Sequence, residues 1–429
     1  MRIWRSDEDK GRKYLNRLEN RFFEVFSPEL EEKVRKVVTA VRQRGDKALV
    51  SFVRRWDLAG LAVADFRLHG RVDGPEQVSE EFTSAVEVAL ANLQAFHEPQ
   101  LAKGYSHDHD GCEMGIRLRP LESVGVYVPG GAAVYISTLL MAVVPARLAG
   151  VGRIAVATPP RAFLSSPQLR YLLDRLDLHE VYLMGGAHAV AALAYGTESV
   201  TAVDKIVGPG GRWVAAAKRA VFGAVDVDMI AGPSELVVLA DAHAEPEIVA
   251  ADLLAQAEHD PDALAVLITP SRALAERVDR RIAARLRTLP REANARQAIR
   301  RWGAILVVPD LPAGIELANR IAPEHVELLT QDPLRFLEGI ERAGAVYLGP
   351  WSSAVLGDYV AGNNHVLPTA GAARYASPLG VWDFINRTAV IRIAPHRYPG
   401  LARAASTFAA VEDLPLHAEA LTAGSRGRL

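Results

Sequence analysis

The residues best equipped for chemistry fall into four short clusters, far apart in the chain: Gln256-Ala257-Glu258-His259, Pro323-Glu324-His325, Gly357-Asp358-Tyr359 and a late His417. Gln256 and His259 lie three apart on a strongly helical stretch, so their side chains leave one face and can share one ion. Imidazole nitrogen suits zinc, and a glutamine oxygen is a rarer donor. Taken alone, a polar helix end that meets solvent explains the pair more simply. Glu324-His325 follows Ala322-Pro323 and precedes the apolar run Val326–Leu329. A carboxylate beside an imidazole is the common equipment for acid–base work near neutral pH. The bland alternative is a helix-start glutamate favoured by the dipole, beside a surface histidine. Asp358 and Tyr359 open a glycine- and asparagine-rich loop that ends at His365. Such loops often carry function, but Asp and Asn also serve local turns. His417 by itself reads as an exposed side chain. Jointly, the clusters hold the parts of one zinc-dependent site.

Other motifs are weaker. Ser234, in Gly232-Pro233-Ser234-Glu235, precedes a strand-like run. It can contact a ligand, but without a Gly-x-Ser-x-Gly elbow a nucleophilic role is not expected. Cys112 has no basic neighbour to lower its pKa and reads as structural. Gly185-Gly186-Ala187 and Gly208-Pro209-Gly210-Gly211 each separate a strand from a helix and can receive a phosphate at the helix start. There is no Gly-x-Gly-x-x-Gly fingerprint, no Walker A loop and no ribose-binding acid about 20 residues on, so this dinucleotide signal is weak by itself.

The elements that must position these residues alternate. Residues 1–60 read as helices, one of them starting at Ser27-Pro28, a cap followed by proline at the first helical position. Strands are expected near 124–128, 153–158, 180–184, 205–207, 236–240, 263–268, 304–308, 326–329 and 344–348, with helices between. That alternation indicates parallel β-α-β architecture, with ligands at the C-terminal ends of strands. From about residue 379 the pattern turns helical again.

A length of 429 residues implies two or three domains at roughly 150 residues each. Hydrophobic residues make up 49% and charged residues 23%, an ordinary globular balance. A net charge of −2 gives no reason to expect nucleic-acid or membrane-surface partners. One cysteine excludes an intrachain disulfide and a cysteine-rich zinc site. The charged N-terminus does not read as a signal peptide. No charge-free apolar run reaches the ~18 residues of a membrane span. A cytoplasmic enzyme is the expectation.

Taken in order, VGVYVPGG, LLMAVVPARLAG, VDKIVGPG, DMIAGPSEL, ADLLAQAEHDPDA, APEHVELL, GDYVAGNNHVLPT and SPLGVWDF closely resemble the histidinol dehydrogenase family, from about residue 30 to 420. The resemblance implies oxidation of L-histidinol to L-histidine with two NAD⁺, through an aldehyde, at the end of histidine biosynthesis. It places the zinc ligands at Gln256, His259, Asp358 and His417 and the acid–base pair at Glu324 and His325. Further substrate contacts fall on Ser234, Tyr359, His365 and Glu412, beside His325 and the metal ligands. It implies a homodimer with shared sites, in which His365, Glu412 and His417 complete a neighbour's site. Cofactor contacts fall on Tyr127, His188 and Gly211. At the last two the family commonly has Gln and Asn, so weaker or reshaped NAD⁺ binding is expected.

The expected fold is α/β: two Rossmann-like domains with parallel sheets and small helical extensions at both ends. Residues 1–25 form the N-terminal extension; 26–126 and 236–378 form the domain with the metal and catalytic residues. Residues 127–235 form the cofactor-side domain, and 379–429 a helical dimerisation arm. Two alternatives remain at this stage. One is a relative in the same family that oxidises another amino alcohol or a diol. The other is a zinc-dependent hydrolase or non-redox binding protein that has lost its cofactor.

Overall fold

A computed structural model describes residues 1–21, 27–60, 66–68, 78–130, 134–290 and 293–426. Gly131 of the VPGG turn lies outside them. The chain divides into two units, Met1–Gln100 with Leu121–Phe384, and Leu101–Pro120 with Ile385–Leu429.

The first unit holds two six-stranded sheets. One runs Arg67–Leu68, Glu180–Leu183, Arg153–Thr158, Ser123–Tyr127, Lys205–Val207, Asp226–Val227. It is parallel except for Arg67–Leu68. The other is parallel throughout and runs Arg2–Arg5, Ala304–Val307, Leu264–Thr269, Glu235–Ala240, His325–Leu329, Ala345–Leu348. The runs SVGVY, ELVVLA and LAVLIT are buried along their whole length, as parallel strands covered on both faces must be. Alternation splits the second sheet's core in two. Leu236, Val238 and Ala240 face one cluster, whereas Val237 and Leu239 face the other, the period of two of a strand.

Helix starts follow local chemistry. Ser27 accepts the Leu30 N–H at 3.3 Å, with Pro28 at the first helical position; Ser271 and Asp310 cap their helices in the same way.

The structure groups the segments differently from the sequence-based division. Leu30, Val34, Val41, Val86 and Leu93, placed by that division with residues 236–378, pack into one core with the sheet of residues 123–227. The apolar stripes of their helices fix this, since a stripe must bury where a matching sheet face exists. The N-terminal extension is not wholly helical either. Arg2–Arg5 pairs in parallel with Ala304–Val307, and the helix Asp9–Glu19 then buries Tyr14, Leu15 and Leu18.

The second unit is a three-stranded antiparallel sheet, ordered Ile385–Ile393, Cys112–Pro120, Tyr105–His109, with helices Tyr398–Val411 and Pro415–Arg426. Asp110-Gly111 turns the hairpin with φ of 53° and 78°, the left-handed pair that a two-residue loop requires. Residues 385–393, expected to be helical, are therefore strand. Their pairing partner lies some 270 positions earlier in the chain, beyond any local pattern. Among the described residues no helix is long and apolar enough to cross a membrane.

Candidate active site

Two adjacent strand starts build the centre of the site. Glu235–Ala240 and His325–Leu329 pair in parallel, with Leu236 opposite His325. This register sets the Glu235 peptide between Glu324 and His325. The Glu235 N–H donates to Glu324 Oε2 at 2.8 Å, and the Ser234 hydroxyl also bonds the Glu324 carboxyl group. The Glu235 carbonyl accepts from His325 Nδ1 at 2.9 Å. A carbonyl can only accept, so Nδ1 carries the proton and Nε2 is left as the basic nitrogen. His325 Nε2 is buried without a hydrogen-bond partner; Asp358 Oδ1 lies 3.8 Å away.

Burial sets the electrostatics of this pair. Loss of water pushes Glu324 well above the usual carboxylate range, aided by the nearby Glu235 and Asp358 charges and opposed by the hydrogen bonds from Glu235 and Ser234. The same desolvation lowers His325, against the pull of Asp358. Each group therefore favours its neutral form. Behind them, Arg21 Nη1 meets Glu235 Oε1 at 2.9 Å, with both side chains buried.

The candidate metal donors come from two short pieces of helix. Gln256 and His259 end the Pro246–Glu258 helix, and the His259 N–H reaches the Gln256 carbonyl at 3.3 Å. Gln256 is buried and its amide nitrogen has no partner. Asp358 is not on a loop, as expected, but near the end of the helix Ala354–Tyr359, started by a Ser353 cap. Its Oδ2 lies 3.7 Å from His259 Nε2. Gly357 precedes it because Tyr347 fills the space a side chain needs: a Cβ there would fall 2.1 Å from the phenol oxygen. The Tyr347 ring stacks on His325 at 6.0 Å.

His365 Nδ1 donates to the Asp358 carbonyl at 2.8 Å, and its Nε2 accepts from the Thr138 hydroxyl at 3.3 Å. This corrects one expectation. His365 was expected to complete a neighbouring subunit's site, but it is tied by a loop of few residues to Asp358 of its own chain.

These side chains face a cavity of about 710 Å³. Ser234, His259, Glu324, His325, Asp358, Tyr359 and His365 line it together with Pro129, Thr138, Gly208–Gly211 and Trp213, whereas Gln256 does not reach its wall. The location is a second correction. In the sheet of residues 235–348 Glu324 and His325 sit at a strand start, not at a C-terminal end; Pro129, Gly208–Gly211 and Asp228–Met229 follow strand ends of the other sheet. The helix carrying Gln256 and His259 runs back across its sheet, and so delivers its last turn to the N-terminal edge.

Tyr127 and His188 are not on the cavity wall. The Tyr127 hydroxyl accepts the Gly186 N–H at 3.0 Å. His188, also buried, bonds Asp57 through Nε2 at 2.8 Å, and the same Asp57 oxygen takes the Gly185 N–H at 3.0 Å. Gly211 does face the cavity, with nothing within 4 Å of where its Cβ would stand. Glu412 and His417 belong to the second unit, where both are exposed.

Comparison with known proteins decides the family. The histidinol dehydrogenase family profile matches residues 23–424. The chain belongs to the histidinol dehydrogenase family. A histidinol dehydrogenase of Halalkalibacterium halodurans is 45% identical over 390 residues, 90% of this chain and 92% of the relative. One from Rhizobium meliloti is 44% identical over 401 residues, 92% of each. The crystal structure of histidinol dehydrogenase from Elizabethkingia anophelis superposes with a TM-score of 0.89 at 31% identity, covering 99% of this chain and 97% of that one.

Within this histidinol dehydrogenase fold, several residues at the site carried no sequence signal of their own. Arg21 reads as one more basic residue in a helix. Thr138 and Tyr347 sit in ordinary apolar segments. The part Glu235 plays is made by its backbone, which residue type does not reveal.

Proposed function

We propose that this chain oxidises L-histidinol to L-histidine with two NAD⁺, using His325 and Glu324 as proton-transfer groups and a zinc ion held by Gln256, His259 and Asp358. The buried Glu324–His325 pair, with Nε2 free, carries the reading. Family membership narrows the substrate.

The donor set fits zinc. His259 Nε2 and Asp358 Oδ2 are 3.7 Å apart, too far for a hydrogen bond. Two ligands on one tetrahedral zinc, at bonds of about 2.1 Å, stand roughly 3.4 Å apart. The buried Gln256 amide has an unmatched polar atom and can turn its oxygen to the ion. Among the described residues no three His, Cys, Asp or Glu form a metal site. An amide as the third donor and His417 of a second copy as the fourth are consistent with that. Zinc, when bound, supplies a cationic seat for the substrate's amine and imidazole.

His325 Nε2 takes the alcohol proton as hydride departs to the nicotinamide. Glu324, once ionised, takes a proton from the water that adds to the aldehyde; a second NAD⁺ then takes hydride from the hydrate while His325 Nε2, free of its first proton, takes the hydrate's hydroxyl proton. The Glu235 carbonyl holds His325 in the tautomer this needs. On the cofactor side, Gly210 and Gly211 line the cavity just before the Arg212–Val221 helix, a helix start of the kind that receives a phosphate. His188 Nδ1 remains unpartnered.

A second copy completes the site in this reading. The second unit exposes Ile391, Phe408, Val411 and Leu416 beside Glu412 and His417, apolar surface of the kind an obligate partner covers. We place this enzyme in the cytoplasm.

The test is reduced-cofactor formation by the zinc-loaded protein with L-histidinol. Two reduced nicotinamides per histidine are expected, with activity lost on chelation and restored by zinc. Turnover of another amino alcohol, with none of histidinol, would move the assignment to a different substrate within the family.

A further inference from the structure

Beneath the site lies a second pair of acids that the chemistry above does not use. Glu327 stands two residues after His325 on the same strand, so both side chains leave the same face. Glu327 is completely buried. Its Oε1 accepts the Ala354 N–H at 2.8 Å. Asp252 lies one helical turn before Gln256, and its Oδ1 accepts the Ser353 hydroxyl at 2.8 Å. The two carboxyl groups lie close enough for a proton on one to bond the other. A pair of carboxylates cannot bond in this way, because neither has a proton to donate. As an acceptor alone, Glu327 Oε2 is buried without a partner, a costly state. A proton on that oxygen, donated to Asp252, removes the defect.

We propose that Glu327 and Asp252 share one proton and act as positioning residues, clamping the start of the Ala354–Tyr359 helix to the helix that ends in Gln256 and His259. Ser353 and Ala354 open the element that carries Asp358 and Tyr359. Asp252 sits on the element that carries the other two candidate donors. The clamp thus fixes the spacing between His259 and Asp358 without touching substrate. Burial raises both acids, Glu327 to about 8, in keeping with a retained proton. The metal side of this inference rests on Gln256, His259 and Asp358 being zinc donors.

Two variants separate the ideas. Glu327→Gln keeps an acceptor for Ala354 and supplies a permanent donor to Asp252; Glu327→Ala removes both. Amide hydrogen exchange of residues 353–359 is measured on the full chain without metal, followed by zinc affinity against a competing chelator. Exchange is expected to be several-fold faster in Glu327→Ala and parental in Glu327→Gln. Zinc affinity is expected to fall roughly 10–100-fold in the former only. Parental exchange in Glu327→Ala, or equal loss in Glu327→Gln, overturns the clamp. If the parent binds no zinc, the donor assignment fails while exchange still decides the clamp. Should Glu327→Ala not fold, Asp252→Ala removes the same arm from a partly exposed position and leaves the Ser353 cap in place, and the same acceleration is expected.

Discussion

His325 and Glu235 are joined ring to backbone, Nδ1 to carbonyl oxygen at 2.9 Å, and the N–H of the same Glu235 residue holds Glu324 at 2.8 Å. One residue's main chain therefore orients both of the groups proposed to transfer protons. Replacing His325 with Gln is expected to lower kcat by about 10²–10⁴-fold, the usual worth of a positioned base. Zinc content should stay parental. Steady-state rates beside metal analysis check this; near-parental kcat would remove His325 from the chemistry.

Opposite pKa shifts predict the pH profile. His325 is lowered, so it stays a neutral base as pH falls past the ordinary histidine value near 6.5. The acid limb of kcat/KM from His325 should lie below that value. Stability follows the same sign: the unfolded chain binds this proton first, so stability falls as pH drops from about 6.5 toward the folded value. Glu324 is raised, so the folded state keeps its proton after the unfolded chain has released it. Its contribution is full at low pH and is lost as pH rises through the folded value. Water activation needs the ionised form, so the aldehyde step should quicken over that interval. Single-turnover oxidation of the aldehyde across pH, with Glu324→Gln as control, reads this limb; an unchanged limb in the variant would assign it elsewhere.

The buried Arg21–Glu235 pair supports the same backbone from behind. Arg21→Met leaves Glu235 buried and unpaired, at a cost of about 3–5 kcal/mol. Adding Glu235→Leu should recover most of that loss. Urea midpoints of the single and double variants decide it, and additive losses would contradict the pairing.

Gly357→Ala pushes a methyl group into the Tyr347 hydroxyl. Overpacking of this kind costs about 1–3 kcal/mol. Because Tyr347 stacks on His325, kcat should fall as well. Tyr347→Phe in the same background should relieve part of both effects, as measured by thermal unfolding and rate.

Gly211→Asn should tighten cofactor binding. The site is open and its φ of −61° suits any residue. One new hydrogen bond of ~1 kcal/mol corresponds to about fivefold in KM for NAD⁺, with zinc binding unchanged. A KM that does not move would place the cofactor away from Gly211.

Much was legible in the sequence for local reasons. The buried parallel strands announce themselves because each is a short apolar run bounded by turns, as in ELVVLA and LAVLIT. Gln256 and His259 share a face because a helix repeats every 3.6 residues. The family motifs supplied Glu324, His325 and Asp358 as one set. What stayed hidden depends on partners distant in the chain. Arg2–Arg5 and Ile385–Ile393 are strands only because Ala304–Val307 and Cys112–Pro120 pair with them. Residues near 30–93 join the sheet of 123–227 because its face matches their apolar stripes. The tautomer of His325, the upward shift of Glu324 and the place of the site at strand starts follow from register and burial, which exist only once distant segments have packed. Residue types thus determined which chemistry was available; the tertiary structure alone decided which atoms meet and how dry their meeting place is.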